Sequence, residues 1–227
     1  VNLILSMQWF EGIGMKTEAF QPRFSVDHLY NLYRSEKVSQ ETKTKIYNRI
    51  LELSKSNGVV TRIVEGIKRN TKFDQFVNNL MYKKYKLISN SKFMKHYKVD
   101  YSVNEKKAPK KIDWDALRKE AITECNADSS SNEFFMFNKY FDKNFKMKLA
   151  KLKDSAKNTK YRSEEEYGDL QLFLDVAKDL GLKVNLILVP LQGYWADYTG
   201  VPKEEIEYYY SRIREISDKN NVNLIDY

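Results

Sequence analysis

Cysteine and histidine are nearly missing from this chain: one Cys and two His in 227 residues. One Cys excludes an intramolecular disulfide framework and a four-Cys zinc site. Two His argue against a His-based metal site, and no metal ligands or cofactor are assigned. No apolar run approaches the ~20 residues that span a membrane, and no signal peptide opens the chain. The motifs of common catalysts are absent too: no G-x-S-x-G elbow, no Gly-rich phosphate loop, no H-E-x-x-H.

What is present is a chain 42% hydrophobic and 31% charged, long enough to bury a sizeable core and too apolar to be disordered. Lys and Arg number 39 against 31 Asp and Glu, a net charge of +8. That balance suits an anionic partner: nucleic acid, a membrane surface or a phosphate polymer. The chain opens on Val1-Asn2-Leu3-Ile4-Leu5, without Met, and closes on Val222-Asn223-Leu224-Ile225-Asp226-Tyr227. Apolar strands at both extremes lead us to expect the middle of a longer protein, since domains usually end in polar, loosely held residues.

The tetrapeptide Val-Asn-Leu-Ile recurs at Val1–Ile4, Val184–Ile187 and Val222–Ile225. Short, nearly continuous apolar runs are how buried parallel strands read, with helices covering both faces of the sheet. Strands are therefore expected near 1–6, 183–189 and 222–226. Between the last two, Pro202 precedes a helix with Ile206, Tyr209, Ile213 and Ile216 on one face, ended by Asn220-Asn221. Ser163 and Glu166 form a capping box for another helix bearing Leu170, Leu174 and Ala177, and Gly181 supplies its left-handed end. Residues 163–227 thus read as helix, strand, helix, strand: half of an open α/β domain, with 1–227 forming part of one such domain.

The span 20–160 reads as an all-helical insertion. Helices are expected at Ser25–Lys37, at Ser39–Ser56, over Val59–Ile88 as one or two, after a cap at Asp113, and at Glu133–Lys157. A loop is expected at Val103–Lys111. The basic, aromatic run Met81-Tyr82-Lys83-Lys84-Tyr85-Lys86 fits contact with an anionic surface, or an ordinary amphipathic helix whose Lys stems cover apolar area. No nucleic-acid-binding motif accompanies it.

In open parallel sheets, ligands bind beyond the carboxyl ends of the strands. Two such loops carry a Gln followed closely by Trp: Gln8-Trp9 after the first strand, and Gln192-Gly193-Tyr194-Trp195 after the middle one. Gln can donate to an oxyanion and Trp can wall a pocket; equally, each Trp can simply cover the sheet end. No nucleophile is apparent. Ser6 lacks the small neighbours of an elbow, and Ser129-Ser130-Ser131 reads as a helix-entry loop. His28 follows Asp27 directly on a helix, so the two side chains point apart, and His96 sits between cations. Cys125, beside Glu124, reads as a small buried hydrophobe.

Three blocks taken together carry a resemblance: Leu5-Ser6-Met7-Gln8-Trp9-Phe10 with Gly12-Ile13, then Glu166-Tyr167-Gly168-Asp169-Leu170-Gln171, then Leu188 through Gly200. With these the chain resembles the DltD family, D-alanyl-lipoteichoic acid biosynthesis proteins of Gram-positive bacteria. The resemblance implies an SGNH-hydrolase-like, three-layer α/β/α parallel sheet, flavodoxin-like in layering. It implies an extracellular domain held at the cell membrane by an N-terminal transmembrane anchor. It implies transfer of D-alanine to lipoteichoic acid with a membrane-bound O-acyltransferase and a D-alanyl carrier protein, through Ser-His-Asp chemistry. The family's Ser motif and Asp-x-x-His have no counterpart here, so no residue inherits a catalytic role and the chain alone is expected to be inactive. Substrate-binding roles fall to Gln8, Trp9, Gln192, Gly193, Trp195 and Tyr198. The +8 charge then suits lipoteichoic acid and an anionic membrane surface, and not nucleic acid. The rival reading is a non-enzymatic basic scaffold that docks a membrane acyltransferase or binds teichoic acid.

Overall fold

The computed structural model describes residues 1–12, 14, 16–20, 23–54, 58–96 and 112–226. The loop expected at Val103–Lys111 lies outside the described residues. In chain order the elements are β1 (Asn2–Leu5), α1 (Thr17–Phe20), α2 (Val26–Arg34), α3 (Gln40–Leu53), α4 (Gly58–Arg69) and α5 (Lys72–His96). They continue with α6 (Trp114–Asp128), α7 (Asn138–Asn144), α8 (Leu149–Leu152), α9 (Glu164–Asp179), β2 (Asn185–Leu188), α10 (Gly193–Thr199), α11 (Lys203–Asn220) and β3 (Asn223–Asp226).

The three recurrences of Asn-Leu-Ile are the sheet. Its order is β1-β2-β3, all parallel, and the repeats stand in register: Asn2 beside Asn185 beside Asn223, and Ile4 beside Ile187 beside Ile225. Successive side chains of a strand face opposite sides. One face is therefore leucine-rich, the other carries the isoleucines and an asparagine ladder. In that ladder Asn185 Nδ2 donates to Asn2 Oδ1 at 2.7 Å, and Asn223 Nδ2 to Asn185 Oδ1 at 3.0 Å.

The leucine face holds the core. Leu5, Leu186 and Leu188 pack with Leu170, Leu174 and Ala177 of α9 and with Tyr209, Ile213 and Ile216 of α11. Each fully buried Leu or Ile side chain here contributes about 1.5–3 kcal/mol. Both helices lie on this one face, because two crossovers of the same hand that step the same way across a sheet deposit their helices on the same side. The isoleucine face is uncovered among the described residues: Ile4 is 57% exposed and Val189 43%. The expectation of helices on both faces is thus met on one face only by these residues.

Local signals set the ends of α9 and α11. The Ser163 hydroxyl accepts from the Glu166 N–H, and Glu164, Glu165 and Glu166 in the first turn complement the helix dipole. Gly181 then turns the chain at φ +67°. Pro202 is the N-cap of α11, and Asn221 ends it in the left-handed region at φ 51°.

A second core joins α2, α3 and α4, with partly buried Met81 and Tyr82 of α5 against it: Val26, Leu29, Tyr30, Tyr47, Ile50, Val60, Ile63, Val64 and Ile67. The stretch Val59–Ile88 is two helices. Asn70 breaks it at φ 53°, and Thr71 and Asp74 restart it by bonding each other, Thr71 Oγ1 to Asp74 Oδ2 at 2.6 Å and Asp74 N to Thr71 Oγ1 at 3.1 Å. The Arg69 guanidinium, followed by Thr71, holds the Asp74 carboxyl down at about 2. This core is fastened to the sheet layer through α3 and α9. Arg49 clasps Asp169 at 2.8 and 2.9 Å, Lys45 meets Asp175 at 3.1 Å, and the Ser39 N–H donates to Asp179 at 2.9 Å.

Three expectations are corrected. The helix expected at Glu133–Lys157 is broken into α7, α8 and turns. Asn132 accepts the N–H groups of Phe134 and Met136 on its side-chain oxygen and donates to the Met136 carbonyl at 2.8 Å, while Phe135 and Asp154 take positive φ. Cys125 is exposed, because α6 buries none of its side chains. Ser129 ends α6 as its C-cap, so the serine triplet is a helix-exit turn.

Candidate functional site at the carboxyl end of the sheet

β1 and β2 end side by side, Leu5 opposite Leu188, with the Val189 N–H donating to the Leu5 carbonyl at 3.1 Å. The chain after β1 enters a 3₁₀ turn, Met7–Phe10. In such a turn residues three apart eclipse, so Met7 and Phe10 both point inward. Phe10 stacks on Tyr167 at 4.5 Å and meets Tyr209 at 5.3 Å. Gln8 and Trp9 are left facing out, Trp9 56% exposed.

This turn is held from behind. The Gly12 N–H donates to the Lys160 carbonyl and the Ser163 N–H to the Phe10 carbonyl, both at 3.2 Å. Residues 160–162 are in turn fastened to α11 by buried Glu205, which accepts from Arg162 Nε at 2.9 Å and from the Tyr161 N–H at 3.2 Å. The Arg162 guanidinium holds the Glu205 carboxyl below the usual glutamate range.

After β2, Gln192 caps α10. Its side-chain oxygen accepts from the Trp195 N–H and its Nε2 donates to the Phe134 carbonyl. Trp195 lies within an aromatic cluster: Phe145 at 4.8 Å, Phe134 at 5.0 Å edge-on, Tyr198 at 5.9 Å stacked. The Tyr198 hydroxyl donates to the Leu149 carbonyl at 2.9 Å. Gly200, at φ +78°, ends α10, where a Cβ would meet the Asp154 backbone at 3.3 Å.

The six sequence-predicted residues therefore divide. Gln192, Trp195 and Tyr198 come together, half-buried, as the seat of the segment 134–149. Gln8, Trp9 and Gly193 are exposed at the same end of the sheet. No hydrogen bond or ring contact joins Gln8 or Trp9 to Gln192, Trp195 or Tyr198 among the described residues. Cavities among the described residues lie elsewhere, and two of them are of a size to take a ligand. One, of about 450 Å³, is at the amino end of β2 and β3, lined by Leu174, Val184, Asn185 and Asn223. The other, of about 570 Å³, lies between α3 and α9, where Asp169 and Asp175 are already paired with Arg49 and Lys45. Neither position fits a ligand at the carboxyl ends of parallel strands.

Sequence reasoning missed the aromatic segment that seats on α10. Six aromatic residues between Phe134 and Phe145 were the available signal. Phe135 there stands 64% exposed beside Tyr194, 63% exposed, their rings 5.5 Å apart.

A parallel sheet backed by α9 and α11, with paired loops at its carboxyl end, defines an α/β protein of the kind that builds its sites from such loops. The chain belongs to the DltD family: the family model for DltD protein matches residues 1–227. The chain is similar to Protein DltD of Bacillus subtilis (strain 168), at 27% identity over 95% of this chain and 56% of that protein. It is also similar to Protein DltD of Staphylococcus aureus (strain NCTC 8325 / PS 47), at 23% identity over all of this chain and 57% of that protein. A third relative, Protein DltD of Lacticaseibacillus rhamnosus, is 23% identical over 88% of this chain and 49% of that protein. The chain spans about half the length of these relatives.

Proposed function

We propose that this chain is part of a cell-envelope protein that transfers D-alanine onto lipoteichoic acid at the outer face of the Gram-positive membrane. Acyl transfer needs a nucleophile, a base and a donor to the developing oxyanion. The described residues at the carboxyl end of the sheet supply no His, and the Gln192 amide is already engaged. The Ser-His-Asp set is assigned to the part of the whole protein outside these 227 residues. Within this reading 1–227 is part of one α/β domain, 20–160 is its helical insertion, and the isoleucine face of the sheet receives helices from the rest of the protein to complete a three-layer, SGNH-like arrangement.

The observation that carries the proposal is the exposed Gln8-Trp9 pair on a turn pinned from behind, at the carboxyl end of the sheet, in a member of this family. In this reading Gln8, Trp9 and Gly193, exposed at the end of the sheet, touch substrate. Gln192, Trp195 and Tyr198 act by holding α10 and its aromatic cover. The net +8 charge supports a polyanionic acceptor. The test is Trp9→Ala in the whole protein, read as D-alanine content of the wall: a loss with normal protein levels supports the role, and unchanged content removes it. The 227-residue chain itself is expected to hydrolyse no ester above background.

The exposed Phe135–Tyr194 pair favours a second reading, a scaffold that docks the membrane O-acyltransferase or the D-alanyl carrier protein. Loss of D-alanylation on Tyr194→Ala with intact esterase activity of the whole protein would favour it.

A further inference from the structure

The outward face of α5 is apolar, and no element among the described residues covers it. Phe73, Phe76, Leu80 and Leu87 are 74%, 61%, 53% and 73% exposed. At 100° per residue they fall within one stripe, running about 21 Å along the helix. The opposite face is committed inward. Asp74 bonds Thr71 and Arg69, the Asn78 carbonyl accepts from the Tyr30 hydroxyl at 2.6 Å, and Tyr82 packs on Tyr30 at 4.4 Å. The stripe is thus a fixed surface and not a stray side of a loose helix.

Its charge is one-sided. From Gln75 to His96 the sequence has five Lys and no Asp or Glu. Lys83 and Lys84 are exposed, and by helical position each lies about 20° beyond one edge of the stripe, on opposite sides. Apolar side chains flanked by lysines, on a helix whose other face is packed, are the pattern of a helix lying in the plane of a membrane interface. A second copy of the chain is the poorer occupant, because a two-fold contact through this stripe would bring like-charged lysines together.

We infer that α5 is an interfacial surface that seats the helical part of the molecule on an anionic bilayer, with Phe73, Phe76, Leu80 and Leu87 entering the headgroup region and Lys83 and Lys84 meeting lipid phosphates. The inference deepens the proposed function and rests on its placement of the protein at the membrane. It sets the helical insertion against the lipid, so that the protein faces the membrane over a surface as well as through any anchor.

The test is co-sedimentation of the 227-residue chain with vesicles of phosphatidylcholine alone and of phosphatidylcholine with phosphatidylglycerol. Binding at least tenfold tighter to the anionic vesicles, and weakened by salt, is expected. The double substitution Phe76→Ser with Leu80→Ser should reduce it at least tenfold. Lys83→Glu with Lys84→Glu should abolish the preference for anionic lipid. All four positions are exposed, and unchanged circular dichroism reports that the variants fold. Absence of vesicle binding, or binding indifferent to both double substitutions, overturns the inference. So does a concentration-dependent dimer removed by the serine substitutions without any vesicle binding. Binding to soluble poly(glycerol phosphate) but not to vesicles overturns the membrane surface and leaves the proposed acceptor standing. Vesicle binding as described, with wall D-alanine unaffected by Trp9→Ala, supports the surface and removes the proposed role of Trp9.

Discussion

The carboxamide of Gln192 donates to the main-chain carbonyl of Phe134, and the same side chain caps α10 through its oxygen. A residue with the chemistry of an oxyanion donor is used here to fasten an aromatic segment over the end of the sheet. Gln192→Ala should remove both bonds and lower stability by about 1–2 kcal/mol. Gln192→Glu keeps the cap acceptor and loses the donor, so it should recover part of the loss. Chemical denaturation of the three proteins checks this.

Trp195 and Trp9 should separate in the same measurement. Trp195 touches Phe134, Phe145 and Tyr198, whereas Trp9 has no ring partner among the described residues and is 56% exposed. Trp195→Ala should cost about 2 kcal/mol, at the low end for a large aromatic because the site is half-buried. Trp9→Ala should stay within about 0.5 kcal/mol of wild type. Equal effects would remove the division between seating and surface residues.

Acid should release the turn that follows β1. Glu205 is held below the usual glutamate range by Arg162, and by the Tyr161 N–H besides. A lowered carboxyl pKa contributes stability that is complete above the unfolded value, about 4.3, and is lost as pH falls through the folded value. Glu205→Gln should therefore unfold at a lower midpoint at neutral pH and show a flatter decline in stability below about pH 4.3. A variant that tracks the wild-type slope would exclude Glu205 as the source.

Two buried tyrosines predict opposite results. The Tyr167 hydroxyl donates to the Tyr161 carbonyl at 2.9 Å, while the Tyr209 hydroxyl is buried with no partner among the described residues. Tyr167→Phe should lose about 1 kcal/mol, and Tyr209→Phe should be neutral or stabilising, since it removes an unpaired buried polar atom. Thermal melts of both variants decide it.

Two glycines inside helices should respond with opposite sign to alanine. A Cβ on Gly66 of α4 would lie 2.8 Å from Nδ2 of buried Asn78, whereas a Cβ on Gly168 of α9 meets nothing within 4 Å. Gly168→Ala should gain up to about 1 kcal/mol from helix propensity. Gly66→Ala should lose about 1–2 kcal/mol, because α4 and α5 cross at that point and overpacking outweighs propensity. Denaturant midpoints give both signs.

Much of the fold was legible because its signals are local. The repeated Asn-Leu-Ile marks all three strands, Ser163 and Asp113 cap the helices that follow them, and Gly181 turns where a left-handed residue was expected. The break of 133–157 was not legible. Its composition suits a helix, and the competing turn depends on one side chain, Asn132, bonding backbone groups two and four residues ahead. Cys125 reads as buried by residue type, but α6 buries none of its side chains among the described residues. Gln8 and Trp9 were found by their position after a strand. Their exposure follows from the 3₁₀ pairing of Met7 with Phe10, which alternation along the sequence does not reveal.

The sequence by itself determined the parallel strands, the helix ends and the loops in which a site would form, because each rests on residues within one or two turns of one another. Only the tertiary structure decided that α9 and α11 share a single face of the sheet, that Gln192 spends its amide on Phe134, and that the apolar stripe of α5 points away from the core. Those outcomes depend on which distant segments meet, and on how the strands are ordered once they pair.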